Sequence, residues 1–351
     1  MKATLLALTA RGAMAHYLDE LVPALAEHAR VTLVAPDHYV NRVRSGAATV
    51  GFSGPASRAA RGLAFANPRG AGDVWNAIEA SAPDVLHLFN GIDFPWSAVV
   101  ARRAKRAGIP VVVTLHDPER HPGNIWWLVN SPGRIATKRA ATAFHVHAQT
   151  WKSKLAAEGF EPGAVHVVPH GSFAPRFLRC RTDNTKRTRL AVFFGRLERY
   201  KGLEYLARAA IELEHPVAIA GPGSLPRDAA RVAASRPDLF ELHTGYQPDE
   251  VIAGLLDRAS VCVLPYLHAT QSSVPLIAAA FGVPVVATAV GAFVEDIPRV
   301  NGILVPPRDA KALADGIRAA ADTQAVHPAD LTFAALGPRF VEMYERVAAA
   351  D

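Results

Sequence analysis

Short apolar runs alternate with amphipathic stretches along almost the whole chain, and this alternation occurs in both halves. Uninterrupted runs of Val, Ile and Leu are typical of strands that are buried on both faces of a parallel sheet. The stretches between them repeat apolar residues at helical spacing. The sequence therefore predicts a doubly wound parallel α/β sheet in each half. The predicted strands cover residues 3–8, 31–35, 85–89, 110–115, 143–147 and 165–168, and then 190–194, 216–220, 240–243, 261–264, 284–287 and 303–305.

Domain boundaries follow from length and from one change in composition. A chain of 351 residues is too long for a single ordinary core and fits two domains. A polar, basic stretch at 172–189 is interpreted as a linker between an N-terminal domain, 1–171, and a C-terminal domain, 190–332. The last helical stretch, 333–351, can pack on either domain, and packing back on the N-terminal domain is one of the two alternatives.

Composition restricts the class of partner and the compartment. Half of the residues are hydrophobic and a fifth are charged, as in globular domains, and 38 basic against 32 acidic residues give a formal charge of +6. That excess suits anionic partners such as nucleotide phosphates, while no basic run is dense enough to predict nucleic-acid binding. The chain has two cysteines, and its N-terminal apolar stretch is shorter than the core of a signal peptide. We therefore expect a cytoplasmic protein in a reducing compartment.

The uncharged stretch 272–294 is long enough to span a bilayer. Two prolines and two glycines divide it, however, at Pro275, Gly282, Pro284 and Gly291. The resulting short pieces favour a helix, a tight turn and a buried β-branched strand over a membrane span.

The first candidate binding motif follows the predicted strand 190–194, where Gly195 lets the chain turn and Arg196 and Lys201 lie five residues apart. A helix is predicted to begin directly after Lys201, so both cations can reach one anionic group at the end of the strand. Because arginine presents a planar fork of donors and lysine a point charge, the pair suits a diphosphate. A loop with two solvent-exposed cations is the alternative.

Two further motifs lie in the uncharged stretch. A helix is predicted to open at Gln271, Ser272, Ser273 and Val274. Serine is a favoured N-cap and Pro275 fits the first turn, so the free N–H groups there either serve the cap alone or also bind a phosphate. Glu295 lies in the first turn of a second possible helix, where it either caps that helix or contacts a ligand.

These motifs, in this order and spacing, resemble the nucleotide-binding half of family 4 glycosyltransferases over residues 190–306. The family pattern runs G-R-L-x-x-x-K-G and later A-x-G-x-P-V-V-A-T-x-x-G-G-x-x-E, and the turn at Gly221 looks like the family's Gly-rich turn. The resemblance implies the GT-B fold, in which two Rossmann-like doubly wound parallel-sheet domains face a central cleft. It also implies sugar transfer with retention of configuration.

The first half resembles the family at strand ends. Gly12 and His16 lie in a stretch like the family's glycine-containing loop, and His116 and Asp117 end a strand as the family's His-Asp site does. The resemblance implies catalytic roles for Arg196, Lys201 and His116, the two cations on the donor pyrophosphate and the histidine beside the donor sugar. It places the donor against Gly12, His16, Gly195, Gly221, Gln271, Ser272, Ser273, Val274 and Glu295.

The sequence departs from the family at one motif. The family usually has two glutamates eight positions apart, and the matching positions here are Ala269 and Ile277. In the family the second acid holds the ribose hydroxyls and the first lies near the donor sugar. The loop is most similar to a branch of the family with A-T-Q-S-G-V, with Ser273 in place of the glycine. Gln271 and Ser272 are candidates to replace part of the missing contacts.

Candidates for the acceptor side follow the His-Asp segment. Asp117, His121 and Trp126 are predicted to line the cleft, where an aromatic face can stack on a sugar. Arg134 and the basic residues after it permit a lipid-linked acceptor and a peripheral contact at the inner face of the membrane. A buried helix around Trp126 is the alternative.

The sequence therefore predicts a glycosyltransferase with a nucleotide-sugar donor, UDP- or GDP-sugars favoured, and a glycan, glycolipid or small-molecule acceptor. No cofactor is expected. The resemblance implies no requirement for a metal motif, and no Asp-x-Asp occurs in this sequence. His145 and His147 are interpreted as structural or cleft-lining, since no metal-binding motif accompanies them. Two alternatives stay open: another GT-B enzyme, such as a sugar-nucleotide epimerase, and a non-catalytic homologue that acts as a partner subunit.

Overall fold

The computed structural model describes residues 1–40, 46–54, 68–92, 94–119, 131–181 and 186–350. The chain divides into two compact units. Unit 1 comprises Met1–Gly171 together with Asp330–Asp351, and unit 2 comprises Ser172–Ala329. Each unit is built on one parallel sheet, with helices between successive strands.

Seven strands form the sheet of unit 1. They are β1 (Lys2–Ala7), β2 (Arg30–Pro36), β3 (Ala48–Phe52), β4 (Val85–Asn90), β5 (Val111–Thr114), β6 (Ala143–Val146) and β7 (Val165–Val167). The helices among them are α1 (Ala13–Ala26), α2 (Asp37–Val40), α3 (Pro68–Ala80), α4 (Pro95–Arg106), α5 (Ser131–Ala140) and α6 (Gln149–Ala157). The strand order is β3-β2-β1-β4-β5-β6-β7, and all neighbouring strands are parallel.

Six strands form the sheet of unit 2. They are β8 (Ala191–Phe194), β9 (Val217–Gly221), β10 (Phe240–Thr244), β11 (Val261–Leu264), β12 (Val285–Thr288) and β13 (Ile303–Val305). The helices are α7 (Ala174–Leu178), α8 (Leu203–Leu213), α9 (Arg227–Ala234), α10 (Asp249–Arg258), α11 (Val274–Ala280), α12 (Phe293–Arg299) and α13 (Ala310–Ala319). The strand order is β10-β9-β8-β11-β12-β13, again parallel throughout.

The direction in which strands are added reverses once in each sheet. The reversal lies between β1 and β4 in unit 1 and between β8 and β11 in unit 2. These four strands are almost fully buried, so their side chains fill the core and leave the chemistry to the loops at their ends. In open α/β sheets, ligands bind outside the carboxyl ends of the strands at such a reversal.

The predicted pair of doubly wound parallel sheets is confirmed, and a strand is present at each predicted position. Strand β3 was not predicted. It is an edge strand in which Ala48, Val50 and Gly51 are exposed, so it lacks the continuous apolar run of a buried strand.

The uncharged stretch 272–294 folds as predicted, into a helix, a tight turn and a buried strand. It contains helix α11, a tight turn and the fully buried strand β12, and helix α12 begins at its end. Within the described ranges, no helix combines the length and the hydropathy that crossing a membrane requires.

Basic side chains of the stretch 172–189 pair with acidic residues of α10. Arg176 Nε lies 2.5 Å from an Asp249 carboxylate oxygen, and Arg181 Nε donates to Asp257 at 2.8 Å. Helix α7 lies in this stretch, which belongs to unit 2 from Ser172 onward. These ion pairs therefore account for two of the cations that set the stretch apart in the sequence.

The last helix, α14 (Phe333–Ala349), packs in unit 1 against α1. At the contact, a Cβ atom on Gly337 would lie 2.6 Å from the backbone oxygen of Ala24. The two helices therefore approach so closely that only hydrogen fits at position 337. The start of α14 lies equally close to Gly171, since a Cβ on Gly171 would meet the ring of Phe333 at 2.5 Å.

We predict that Gly337→Ala lowers the free energy of unfolding by about 1–3 kcal/mol, because α1 and α14 must separate to admit the methyl group. The control is Gly72→Ala inside α3, where a Cβ has no heavy atom within 4 Å. That change should instead raise the free energy of unfolding by about 0.5–1 kcal/mol. Urea unfolding of both variants at neutral pH measures the difference, and equal effects would contradict a tight contact between the two helices.

Candidate functional site

The loops that follow β8 and β9 touch each other at the carboxyl edge of the sheet in unit 2. A Cβ on Gly221 would lie 1.9 Å from the backbone oxygen of Gly195, and both glycines have positive φ, at 145° and 140°. Any side chain at position 221 would force the loops apart. The backbone of Leu197 completes this junction by donating its N–H to the oxygen of Pro222 at 2.9 Å.

Arg196, the first of the two predicted cations, leaves this junction toward solvent. Its guanidinium donates from Nη1 to Glu198 Oε1 at 2.9 Å and from Nη2 to the Tyr200 hydroxyl at 3.1 Å. The side chain is nevertheless 59% exposed. A guanidinium has five N–H donors, so two contacts hold its orientation and leave donors for a ligand.

Lys201, the second predicted cation, rests on aromatic rings. Its Nζ lies 3.6 Å from the ring centroid of Tyr266 and 4.8 Å from that of Tyr200. Tyr266 follows β11. Lys201, on the loop after β8, therefore contacts a residue at the end of the neighbouring strand, at the reversal of the sheet. The backbone fixes the same contact, because Leu267 donates its N–H to the oxygen of Tyr200 at 2.7 Å. Arg196 and Lys201 are thus held on one loop at the position where such sheets bind ligands.

Tyr266 connects the cations to the serine motif. Its ring is buried, burial raises the pKa of its phenol, and its hydroxyl is hydrogen-bonded with Ser272. The Ser272 hydroxyl also accepts the N–H of Val274 at 3.3 Å. Ser273, which occupies the N-cap position of α11, makes no capping bond through its side chain. Ser272 therefore makes the contact that the sequence analysis assigned to a capping serine, and Gln271 precedes it partly exposed.

The two positions that carry glutamates in the resembled family lie in the core of unit 2. Ala269 and Ile277 are 3% and 2% exposed. The oxygen of Ala269 instead fixes the loop after β12, since a Cβ on Gly291 would lie 1.7 Å from it. Glu295 lies in the first turn of α12, beyond that loop, and is partly exposed. Next to it, burial together with the Glu295 charge raises the pKa of Asp296 to about 7.

The equivalent edge of unit 1 begins at the loop between β1 and α1. Asn90, at the end of β4, accepts the N–H of Thr9 at 3.1 Å and donates to its oxygen at 2.6 Å, so one amide ties the two central strand ends together. Gly12 then starts α1 with φ 54° and ψ −135°, a conformation that suits glycine. Gly12 is exposed and His16, one turn into α1, is partly exposed.

His116 follows β5 and has both ring nitrogens engaged within unit 1. Nε2 lies 2.9 Å from the oxygen of Phe89, and Nδ1 lies 3.2 Å from Nε2 of His147. Burial lowers the pKa of His116 to about 4, against the opposing effect of the Asp117 carboxylate. Asp117 is exposed, and its backbone oxygen accepts a hydrogen bond from Arg134 Nη2 at 2.7 Å. Arg134 is buried, so it supports this turn and does not offer the lipid-facing charge that the sequence suggested.

Behind His116, buried histidines form a hydrogen-bonded chain across the sheet. The Tyr344 hydroxyl lies 2.7 Å from His87 Nδ1, and His87 Nε2 lies 2.6 Å from Thr114 Oγ1. Thr114 Oγ1 lies 2.9 Å from His145 Nδ1, and His145 Nε2 lies 3.0 Å from the oxygen of Val168. One proton order, running from the tyrosine to the carbonyl, satisfies every contact with neutral rings. In the part of the chain that the structure describes, no three metal-ligating side chains are grouped to hold a metal ion.

Each unit thus brings several predicted residues to one edge of its sheet. In unit 2 these are Gly195, Arg196, Lys201, Gly221, Gln271, Ser272, Ser273, Val274 and Glu295, and in unit 1 they are Gly12, His16, His116 and Asp117. His121 and Trp126 lie outside the described residues. Sequence reasoning missed Tyr200 and Tyr266, which hold the two cations, although a tyrosine two residues after a predicted strand was an available signal.

Comparison with protein families gives one match in each half of the chain. Residues 12–171 match a model described as "Glycosyl transferase 4-like domain". Residues 188–323 match a model described as "Glycosyl transferases group 1". The two matched segments contain the predicted site residues of both units.

Curated relatives align with about two thirds of the chain. TuaC of Bacillus subtilis (strain 168), a glycosyltransferase assigned to teichuronic acid biosynthesis, is 28% identical over 67% of this chain and 60% of its own length. D-inositol 3-phosphate glycosyltransferase 1 of Catenulispora acidiphila is 29% identical over 69% of this chain and 65% of its own length. The chain therefore spans less than two thirds of the length of these relatives.

Solved structures share the fold over the whole chain. Sucrose-phosphate synthase from Thermosynechococcus elongatus has a TM-score of 0.76 at 19% identity, with 100% of both chains covered. Anabaena Alr3699/HepE in complex with UDP-glucose has a TM-score of 0.69 at 17% identity, with 100% of this chain and 99% of that chain covered. At these identities the likeness describes architecture alone.

We predict that acid destabilises unit 1 before unit 2. Burial lowers the pKa of five histidines of unit 1, to about 4 for His116 and to about 3 for His145 and His170. The pKa values of His87 and His147 are lowered for the same reason. An unfolded histidine has a pKa of about 6.5, so between about pH 6.5 and 4 the unfolded state binds protons that the folded state excludes. As the pH is lowered through this range, the free energy of unfolding should therefore decrease, by up to about 1.4 kcal/mol per pH unit for each histidine.

Hydrogen exchange at several pH values, corrected for intrinsic exchange rates, measures this effect in both units. Protection of β4, β5 and β6 should decrease more steeply below pH 6.5 than protection of β8 and β11. The sheet of unit 2 serves as the internal control, since fewer of its histidines have a lowered pKa. Equal slopes in the two units would contradict the prediction.

Proposed function

We propose that the chain is a GT-B glycosyltransferase of the group 1 and group 4-like type, which transfers a sugar from a nucleoside-diphosphate sugar to a hydroxyl acceptor. The matches to glycosyltransferase models over residues 12–171 and 188–323 support this proposal. The observation that carries the proposal is the pair of cations, Arg196 and Lys201, held on one loop at the reversal of the sheet in unit 2. We propose that this pair binds the diphosphate of the donor.

The two cations suit different parts of a diphosphate. Arg196 is oriented by Glu198 and Tyr200 and stays largely exposed, so its planar fork can take two phosphate oxygens at once. Lys201 supplies a point charge, and the face of Tyr266 stabilises that charge in the absence of phosphate. Because both groups are positioned before the donor arrives, little reorganisation is needed when charge develops on the leaving group.

The reaction requires charge stabilisation more than covalent chemistry. The acceptor oxygen forms a bond to the anomeric carbon, the bond from that carbon to the diphosphate oxygen breaks, and the acceptor proton passes to the departing phosphate. Negative charge grows on the diphosphate, and one preorganised donor aimed at such charge is typically worth about 3 kcal/mol. We propose retention of configuration, on the resemblance to family 4, and no requirement for metal.

Donor ribose recognition must differ from the pattern of the resembled family. Ile277 offers no acceptor for ribose hydroxyls and is buried. Gln271, Ser272 and Ser273 lie just before α11 and are partly exposed. We propose that these polar side chains take over the contacts to the nucleoside, and that the acceptor is a glycan, a glycolipid or a small molecule.

We predict that one nucleoside diphosphate binds and that Arg196→Ala weakens this binding at least tenfold. The loss of a charge-assisted bidentate contact is worth about 1.5–3 kcal/mol, which corresponds to roughly 10- to 100-fold in Kd. Calorimetric titration with UDP, GDP, ADP and CMP measures it, beginning with UDP because HepE has been solved with that nucleotide. Arg199→Ala is the matched control, an exposed arginine of the same loop that should leave the affinity unchanged.

The outcomes separate the competing functions. Equal losses in Arg196→Ala and Arg199→Ala would indicate general electrostatic attraction rather than a diphosphate site. Absence of binding by every nucleotide would overturn the proposed donor site and favour a non-catalytic partner subunit.

We further predict that the chain releases the nucleoside diphosphate from a matching sugar nucleotide at the same rate with and without EDTA. Arg196 and Lys201 supply the positive charge that a metal would otherwise supply. Coupled detection of the released nucleotide measures the rate, and Arg196→Ala should reduce it. Loss of release in EDTA would contradict the metal-independent mechanism. Conversion of the donor sugar into its epimer would instead support the epimerase alternative.

A further inference from the structure

Two imidazoles at the edge of unit 1 stand between two backbone carbonyl groups. His116 Nε2 lies 2.9 Å from the oxygen of Phe89, His116 Nδ1 lies 3.2 Å from His147 Nε2, and His147 Nδ1 lies 3.2 Å from the oxygen of Val168. All four ring nitrogens are therefore within hydrogen-bond distance of a partner. The order of groups is carbonyl, imidazole, imidazole, carbonyl.

The number of protons determines how many of these three contacts can be hydrogen bonds. Carbonyl oxygens only accept, so each end of the row needs an N–H, and the contact between the rings needs a third. Two neutral imidazoles carry two N–H groups. The neutral pair consequently leaves one of the three contacts without a proton, and one added proton completes all three.

Distances and neighbours identify the contact that the neutral pair gives up. The contact of His116 with Phe89 is the shortest of the three. The oxygen of Val168 already lies 3.0 Å from His145 Nε2, whose neutral chain of hydrogen bonds requires it to donate there. The bond from His147 to Val168 is therefore the most dispensable. Both rings then carry their proton on Nε2, and His147 donates to His116.

Other groups surround the pair and favour its neutral form. Tyr17 packs against both rings, with centroids at 6.0 Å from His116 and 5.8 Å from His147. His145 and His170 approach His147 at 4.6 and 5.2 Å. Burial lowers the pKa of His147, the neighbouring imidazoles of His145 and His170 lower it further, and the Asp117 carboxylate raises the pKa of His116.

We propose that His147 is a positioning residue that donates a hydrogen bond from Nε2 to Nδ1 of His116, and that the two imidazoles take up a single proton as one unit. The bond fixes the ring of His116 between β4 and β6, beside the exposed Asp117. A substrate then meets a histidine of one tautomer and one orientation. A role of this fixed ring in sugar transfer rests on the proposed function, whereas the hydrogen bond itself does not.

Nitrogen-15 NMR of the full chain without ligand tests the proposal. At neutral pH we expect both rings as the Nε2–H tautomer and a scalar coupling between His147 Nε2 and His116 Nδ1 across the hydrogen bond. On acidification the resonances of the two rings should move with shared midpoints and the uptake of one proton, as coupled sites do. A neutral His147 protonated on Nδ1, or two independent titrations, would overturn the proposal.

Substitutions separate positioning from packing. His147→Phe keeps a ring but removes the donor, so the His116 Nδ1 resonance should move to that of an acceptor without a hydrogen bond. His147→Gln keeps an N–H near the Nε2 position and should restore much of the wild-type resonance. His166→Gln, on the neighbouring strand β7, is the matched control and should leave His116 unchanged. If His147→Phe fails to fold, the coupling in the unaltered chain still decides.

Turnover gives a separate result. If the chain cleaves a sugar nucleotide, His147→Phe should lower kcat several-fold with little change in nucleotide affinity, and His147→Gln should recover part of the rate. An unchanged kcat in His147→Phe, with the coupling present in the unaltered chain, would limit the role of His147 to structure and overturn its role in catalysis. Absence of any turnover would count against the proposed function and leave the NMR result as it stands.

Discussion

Close backbone approaches at the carboxyl edge of unit 2 determine where its charges lie. At Gly202, Gly221 and Gly291, a Cβ would fall 1.7–1.9 Å from a carbonyl oxygen of a neighbouring loop. Each approach joins the ends of two strands, so the loops cannot shift independently. Arg196 and Lys201 occupy the loop that two of these approaches fasten, and their geometry therefore derives from the backbone. The close approaches at the glycines position the loop, and Glu198, Tyr200 and Tyr266 then orient the side chains of the two cations.

The two units use the same topology to present opposite kinds of polar group. Unit 2 holds a guanidinium group that is largely exposed and an ammonium group that rests on an aromatic ring. Unit 1 holds imidazoles whose burial favours the neutral form and whose hydrogen bonds run in one direction through Thr114 to Val168. A buried polar chain of this kind is stable only when every member has a partner. In the neutral His116–His147 pair, one of the three contacts lacks a proton. His116 is the partly exposed member of this pair.

Much of the fold was predictable because buried parallel strands and helical stretches differ in local pattern. Strand β3 was not predicted because an edge strand is partly exposed and therefore need not be continuously apolar. The cations at 196 and 201 were predictable from a strand, a glycine and their spacing. Their support was not, since Tyr266 is 65 positions from Lys201 in the sequence and reaches it only through the pairing of β8 with β11. The burial of Arg134 was equally hidden, because its partner is a backbone oxygen that any residue at position 117 would supply.

The loss of the two glutamates has a physical counterpart in the core of unit 2. Ile277 lies in α11 with 2% of its surface exposed, and Ala269 is nearly as buried. A carboxylate in such a position is costly until a ligand supplies hydroxyl groups to pair with it, because burying an unpaired charge opposes folding. An isoleucine there contributes apolar packing whether or not a donor is bound. Under the proposed function, polar contact to a nucleoside would then be left to side chains that remain hydrated in the free protein. Among the described residues of this edge, Gln271, Ser272 and Ser273 meet that condition.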